Sequence, residues 1–189
     1  MKLLIIDNFD SFTYNLKHYA EQFCKEVVVK RNNEIQLDEI SAYDGFIISP
    51  GPGLPKDTGI SIAAIKRYAG EKKILGVCLG HQLIAEIYGG KLLNLDHPLH
   101  GIAIKTNKIK DDELFKGIPD QFMSGRYHSW IVDEKSLINT DLEIIANDEL
   151  GQVQALKHKK YNIRSVQFHP ESIMTDYGLE MIENWITEC

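Results

Sequence analysis

The chain has 189 residues, 43% of them hydrophobic and 25% charged, a composition that builds a packed core and excludes disordered, collagen-like and fibrous chains. Against 27 Asp and Glu stand 21 Lys and Arg, leaving a net charge of −6, so no basic field covers the surface and no nucleic-acid partner is expected. Three cysteines, Cys24, Cys78 and Cys189, form no CxxC pair and no disulfide framework, which suits a reducing cytoplasm.

The first apolar run stops at Asp7, short of the about seven to fifteen residues of a signal peptide, and no window holds the roughly 18 consecutive apolar residues of a membrane span. A soluble chain with no membrane partner is expected. Short continuous apolar runs at 3–6, 27–29, 45–48 and 74–77 read as strands buried on both faces. Helical spacing fills 12–23 and 60–68 between them, with a short turn around 37–40. That β-α-β-α rhythm predicts an α/β fold: an open, mostly parallel, twisted sheet flanked by helices, with right-handed crossovers. A further helix, from about 80 to 88, follows the fourth run directly.

The second half differs. Runs at 102–105, 131–132, 142–146, 153–157 and 165–168 are short and joined by polar turns such as NDELGQ, so an antiparallel extension of the sheet is expected. Asp176 opens a last amphipathic helix in which Leu179, Ile182 and Ile186 share one face, with Trp185 beside them. No linker, repeat or low-complexity tract interrupts the chain, and residues 1–189 read as one domain.

The window KKILGVCLGHQ carries the strongest chemical signal. Gly76, Cys78 and Gly80 form GxCxG between a strand and a helix, the thiol form of a nucleophile elbow, where close-packed backbone demands glycine on both sides of a strained turn. The helix N-terminus beneath the sulfur favours the thiolate, which is the nucleophilic form. A lone cysteine is more often a small buried hydrophobe, the expectation for Cys24 and Cys189, which lack this setting.

A thiolate nucleophile needs a base, and VQFHPES at 166–172 offers one. In an extended stretch His169 and Glu171 project to the same side, and Pro170 between them fixes φ near about −65°. Cys78, His169 and Glu171 then take the roles of nucleophile, general acid/base and orienting carboxylate. SPGPG at 49–53 follows the third strand; Gly51 and Gly53, unlike Pro50 and Pro52, keep backbone N–H groups with no side chain in the way. Gly53 is the expected oxyanion donor, paired with the N–H of Leu79, the residue after the nucleophile. Taken alone, PGPG is more often a rigid turn, and it lacks the spacing and lysine of a phosphate loop. His97 and His100 of HPLH could offer two metal ligands, but no HExxH or paired cysteines accompany them, so a surface turn and no metal site are expected. His18 and His158 read as solvated or core histidines, and no cofactor is implied.

DNFDSFTYN at 7–15, SPGPG at 49–53, GVCLGHQ at 76–82, GRYHS at 125–129 and VQFHPES at 166–172 together resemble the class I glutamine amidotransferases. Within them the likeness is to the glutaminase subunits (component II) of anthranilate synthase and aminodeoxychorismate synthase, and it spans nearly the whole chain in the family's order. The resemblance implies that Cys78 attacks the side-chain amide carbon of L-glutamine, ammonia leaves, and water hydrolyses the glutamyl thioester. It implies that the ammonia passes to a chorismate-binding synthase subunit, component I, on a separate chain. It implies too that Gly51, Pro52, Gly53, Gln82, Ser129 and Trp130 lie around the glutamine, the last two acting largely through backbone. Two positions depart from the pattern: Trp130 stands where relatives are commonly aliphatic, and Ile102 where they often have lysine. Neither touches the triad. The motifs leave open whether the partner makes anthranilate, aminodeoxychorismate or both. The rivals are a stand-alone thiol hydrolase and a silent regulatory subunit; a redox sensor is weaker, having no resolving cysteine near in sequence.

Overall fold

A computed structural model of the chain describes residues 1–189. Strands β1 (Lys2–Asp7), β2 (Glu26–Arg31), β3 (Gly45–Ile48) and β4 (Lys73–Val77) are joined in the sheet by β9 (Ile163–Val166), and these five run parallel in the order β2-β1-β3-β4-β9. Beyond β9 the sheet continues antiparallel as β8 (Val153–His158), β7 (Leu142–Asp148), β5 (Leu92–Lys108) and β6 (Gln121–Val132). The expected parallel sheet with an antiparallel extension is therefore the observed one.

Both faces of the parallel half are apolar because its strands carry continuous hydrophobic runs. Leu3, Ile5, Ile47, Leu75 and Val77 pack on one face with Leu16 of α1 (Thr13–Ala20) and Trp185 and Ile186 of α4 (Gly178–Thr187). Leu4, Ile6, Phe46, Ile48 and Ile74 pack on the other with Ala64 and Ile65 of α2 (Ser61–Tyr68) and Leu83 and Ile84 of α3 (Leu79–Ile87). Full burial of each such side chain contributes about 1.5–3 kcal/mol, which fixes where the strand ends stand.

The second half departs from the expectation in its details. β5 begins at Leu92 and includes His97 and His100, so HPLH is strand with an irregular register and not a simple surface turn. Nearly all of β5 is exposed or half-exposed, which removes the apolar alternation that would announce it. β6 is twelve residues long where only its last two were expected, because its inward face carries Ser124, Arg126 and His128 as well as Phe122. Asp176 does not cap α4. Its N–H donates to the Met123 carbonyl and its carboxylate accepts from the Met123 N–H, pinning the segment to β6, while Tyr177 in a left-handed conformation (φ 58°) precedes the helix.

Candidate active site

The C-terminal ends of β3, β4 and β9 lie side by side, where ligands of open α/β sheets gather. β4 passes directly into Cys78 and then α3. Cys78 has φ 50° and ψ −96°, a sparsely populated conformation for a residue with a side chain. Two glycines permit it. A Cβ on Gly76 would stand 2.5 Å from the Gly80 carbonyl oxygen, and one on Gly80 would stand 2.5 Å from the Ile48 carbonyl oxygen. The Cys78 N–H donates to the Val166 carbonyl at 2.8 Å, locking the bend to the end of β9.

From that end His169 and Glu171 follow, and their side chains meet: His169 Nδ1 and Glu171 Oε1 are 2.7 Å apart, both residues buried. The way they meet differs from the sequence expectation. Residues 169–172 form a turn, with the Ser172 N–H donating to the His169 carbonyl at 3.2 Å, and Pro170 takes its second position, where a fixed φ is favoured. The extended stretch ends earlier, at Val166. The Thr175 hydroxyl donates to the His169 carbonyl at 2.5 Å and accepts from the Gly125 N–H at 3.0 Å, tying the turn to β6. Burial alone would lower the His169 pKa; hydrogen bonding and charge from Cys78 and Glu171 outweigh it and hold the imidazole well above its ordinary value of 6.5. Nε2 has no settled partner at rest and the sulfur is its neighbour, an arrangement suited to passing a proton between substrate and ring.

Beside Cys78 opens a cavity of about 360 Å³. Gly51, Pro52, Gly53, Leu79, Gln82, Ser129 and Trp130, all expected near the substrate, line it together with Cys78. His169 and Glu171 do not line the cavity. Gly53 has φ +90°, open only to glycine, whereas Gly51 is glycine for space: a Cβ there would run into the Asn8 carbonyl oxygen. Asn8 also explains the DNFDS segment. Its amide donates to the Ser49 carbonyl, its N–H to the Ser49 hydroxyl, and its oxygen accepts from Asn32, each at 2.9 Å, so the end of β1 buttresses the glycine loop. On the opposite wall the β5–β6 register jumps from Asn94↔Trp130 to Leu99↔His128, so residues 95–98 bulge opposite Ser129 alone.

Several buried or half-buried groups here had escaped sequence reasoning. Tyr127 and His128 line the cavity, and the Tyr127 ring packs 4.8 Å from that of His169. Gln167, fully buried, places its amide nitrogen 3.7 Å from the Cys78 sulfur. Burial lowers His81 and His128 to about 3, with smaller effects of the His128 charge on His81 and of the Arg126 and His169 charges on His128, so both are neutral. Arg126, lowered to about 10 by burial, donates to Gln154 and Thr106 beneath the cavity wall, with Asp148 3.9 Å away. Gln167 and His128 stand inside motifs already noticed, but one-letter spacing does not say which way a buried amide or ring points.

The remaining cysteines and histidines behave as background. Burial raises the thiols of Cys24 and Cys189, the latter to about 11, which disfavours a reactive thiolate at either. His158 Nδ1 accepts from the Lys160 and Tyr161 N–H groups, and His18 is exposed. No group of three His, Cys, Asp or Glu side chains is placed to hold a metal ion, around His97 and His100 or elsewhere.

Known proteins match this chain along its length. The family model for glutamine amidotransferase class I matches residues 4–189. The chain is 45% identical over 188 residues to "Aminodeoxychorismate/anthranilate synthase component 2" of Bacillus subtilis, covering 97% of this chain and 95% of that protein. It is 43% identical over 189 residues to "Anthranilate synthase component 2" of Cyanophora paradoxa, covering 97% of each. Among solved structures, a protein described as a candidate GMP synthase subunit from Thermoplasma acidophilum superposes with a TM-score of 0.86 at 26% identity, covering 98% of this chain and 92% of that one. With a thiol elbow, a buried imidazole–carboxylate pair and a family match over nearly every residue, the chain belongs to the class I glutamine amidotransferases.

Proposed function

We propose that this chain is the glutaminase subunit, component II, of a chorismate-aminating synthase, read first as anthranilate synthase. The observation that carries the mechanism is the 2.7 Å contact between His169 and Glu171 beside a cysteine held at a strained strand–helix turn. The Cys78 thiolate adds to the side-chain amide carbon of glutamine, and the developing oxyanion meets the N–H groups of Gly53 and Leu79. His169, oriented by Glu171, gives its proton to the departing ammonia. A water molecule, losing a proton to His169, then adds to the thioester carbon, and the C–S bond breaks to release glutamate and restore Cys78. Gly51, Pro52, Gln82, Ser129 and Trp130 surround the glutamine, and a cavity of about 360 Å³ accommodates one amino acid. The ammonia is consumed by a separate chorismate-binding subunit, component I. One nine-stranded sheet supports reading 1–189 as a single domain, and three free cysteines support a reducing, cytoplasmic setting.

The printed name of the Bacillus subtilis relative covers both products, which favours a second reading in which the chain also serves an aminodeoxychorismate-forming partner. The test mixes the chain with each candidate component I, chorismate and glutamine, and follows both aromatic products. In parallel, a glutamine-analogue electrophile is added below stoichiometry and the modified peptide is identified by mass spectrometry. Label on Cys78 and glutamine-dependent product with a partner are expected. Label on Cys24 or Cys189 first, or strong glutaminase activity unchanged by either partner, overturns the subunit reading.

A further inference from the structure

Hydrogen-bond direction around the sulfur follows from one fixed point. The Trp130 carbonyl can only accept, so the Gln82 side chain must turn its NH₂ toward it, at 2.9 Å. That same NH₂ faces the Gln167 side chain at 3.3 Å, so Gln167 must present its oxygen there. The remaining end of Gln167, its own NH₂, is left aimed at the Cys78 sulfur, 3.7 Å away. This orientation does not depend on telling nitrogen from oxygen by shape, because each member of the chain dictates the next. Gln167 has no freedom to turn elsewhere: it is fully buried, and its N–H donates to the Gln154 carbonyl at 2.8 Å.

We propose that Gln167 is a further catalytic residue, whose side-chain amide donates to the Cys78 sulfur, steadies the thiolate, and joins it through Gln82 to the wall of the glutamine cavity. The proposal rests on Cys78 being the nucleophile. Cys78 is buried and loses most of its hydration, so its anion needs donors from the protein. His169, whose protonated form Cys78 favours, is one such group, but it changes its protonation state during the reaction. An amide never gives up its proton, so the Gln167 donor persists through every step. Residues 167 and 169 reach the sulfur from the same end of β9, one fixed donor and one that titrates.

The test compares iodoacetamide alkylation of Cys78 in the full chain, read by mass spectrometry, for wild type, Gln167→Leu and Gln167→Glu at pH 7 and pH 10. The leucine variant is expected to react about tenfold more slowly at pH 7, the scale of one hydrogen bond to a charged group, and to regain the wild-type rate at pH 10. Gln167→Glu keeps the shape and still accepts from Gln82, which covers the case where leucine does not fold; its carboxylate faces the sulfur and slows pH 7 alkylation further. Equal rates at pH 7, or an equal slowing at both pH values, overturns the role of Gln167 and leaves the nucleophile assignment standing. Wild-type Cys78 reacting no faster than Cys24 or Cys189 overturns the nucleophile assignment beneath it.

Discussion

Replacing Glu171 with glutamine keeps the side chain's outline and removes its charge. The contact with His169 is 2.7 Å between two buried groups, which at an effective dielectric of about 20 is a gross attraction of about 6 kcal/mol. Desolvation offsets part of that, and breaking a buried pair costs about 3–5 kcal/mol. Expressed in the step where His169 carries the proton, this is a loss of about 10²–10⁴ in kcat, in line with the about 10⁴ measured when an analogous triad carboxylate is neutralised. Because Glu171 does not line the cavity, KM should hold. The assay is glutamate release in the presence of the synthase partner and chorismate, with a thermal melt to establish that the variant is folded. A folded Glu171→Gln variant within threefold of wild type refutes the coupling, and a defect confined to KM would make Glu171 a substrate contact instead.

Gly80→Ala should destabilise the chain by about 1–3 kcal/mol or more, since its Cβ would lie 2.5 Å from the Ile48 carbonyl oxygen and neither backbone can yield cheaply. A urea midpoint within error of wild type would contradict the close-packing account of the elbow. Acid should weaken the fold through two neutral histidines. His81 and His128 titrate near 3 when folded and near about 6.5 when unfolded, so the unfolded chain gains protons first as pH falls. Their contribution is whole above about pH 6.5 and drains by about 1.4 kcal/mol per pH unit for each residue on the way down to the folded values. Between pH 7 and 5 these two residues should take about 4 kcal/mol from the urea-derived stability, His169 working in the opposite sense, and His81→Gln should lessen the loss by about 2 kcal/mol. An unchanged drop in His81→Gln would mean that the imidazole is not held neutral.

The parallel half of the fold was legible because its strands are buried on both faces, so 45–48 and 74–77 stand out as unbroken apolar runs. The elbow was legible for a related reason: glycines two before and two after a bend are a steric requirement, and Gly76 and Gly80 meet it. β5 and β6 were legible only at 102–105 and 131–132, one being largely exposed and the other hiding Arg126 and His128 on its inner face, so neither alternates in hydrophobicity along its length. At the site, the pairing of His169 with Glu171 was readable and its cause was not. A turn through Pro170, not an extended strand, brings them together. Gln167 escaped notice because a buried amide acquires direction only from its neighbours, and those neighbours lie on α3 and β6.

β9 is the last strand in the chain and the middle one in the sheet. A ribosome releasing this polypeptide therefore delivers two unfinished ribbons, β2-β1-β3-β4 and β8-β7-β5-β6, each with an open margin that only the final strand can close. The stitch that closes them also carries in His169 and Glu171, three and five residues past its end. A nascent chain thus holds Cys78 without its base while residues 79–168 are being added, and chemistry switches on only when the seam is sewn.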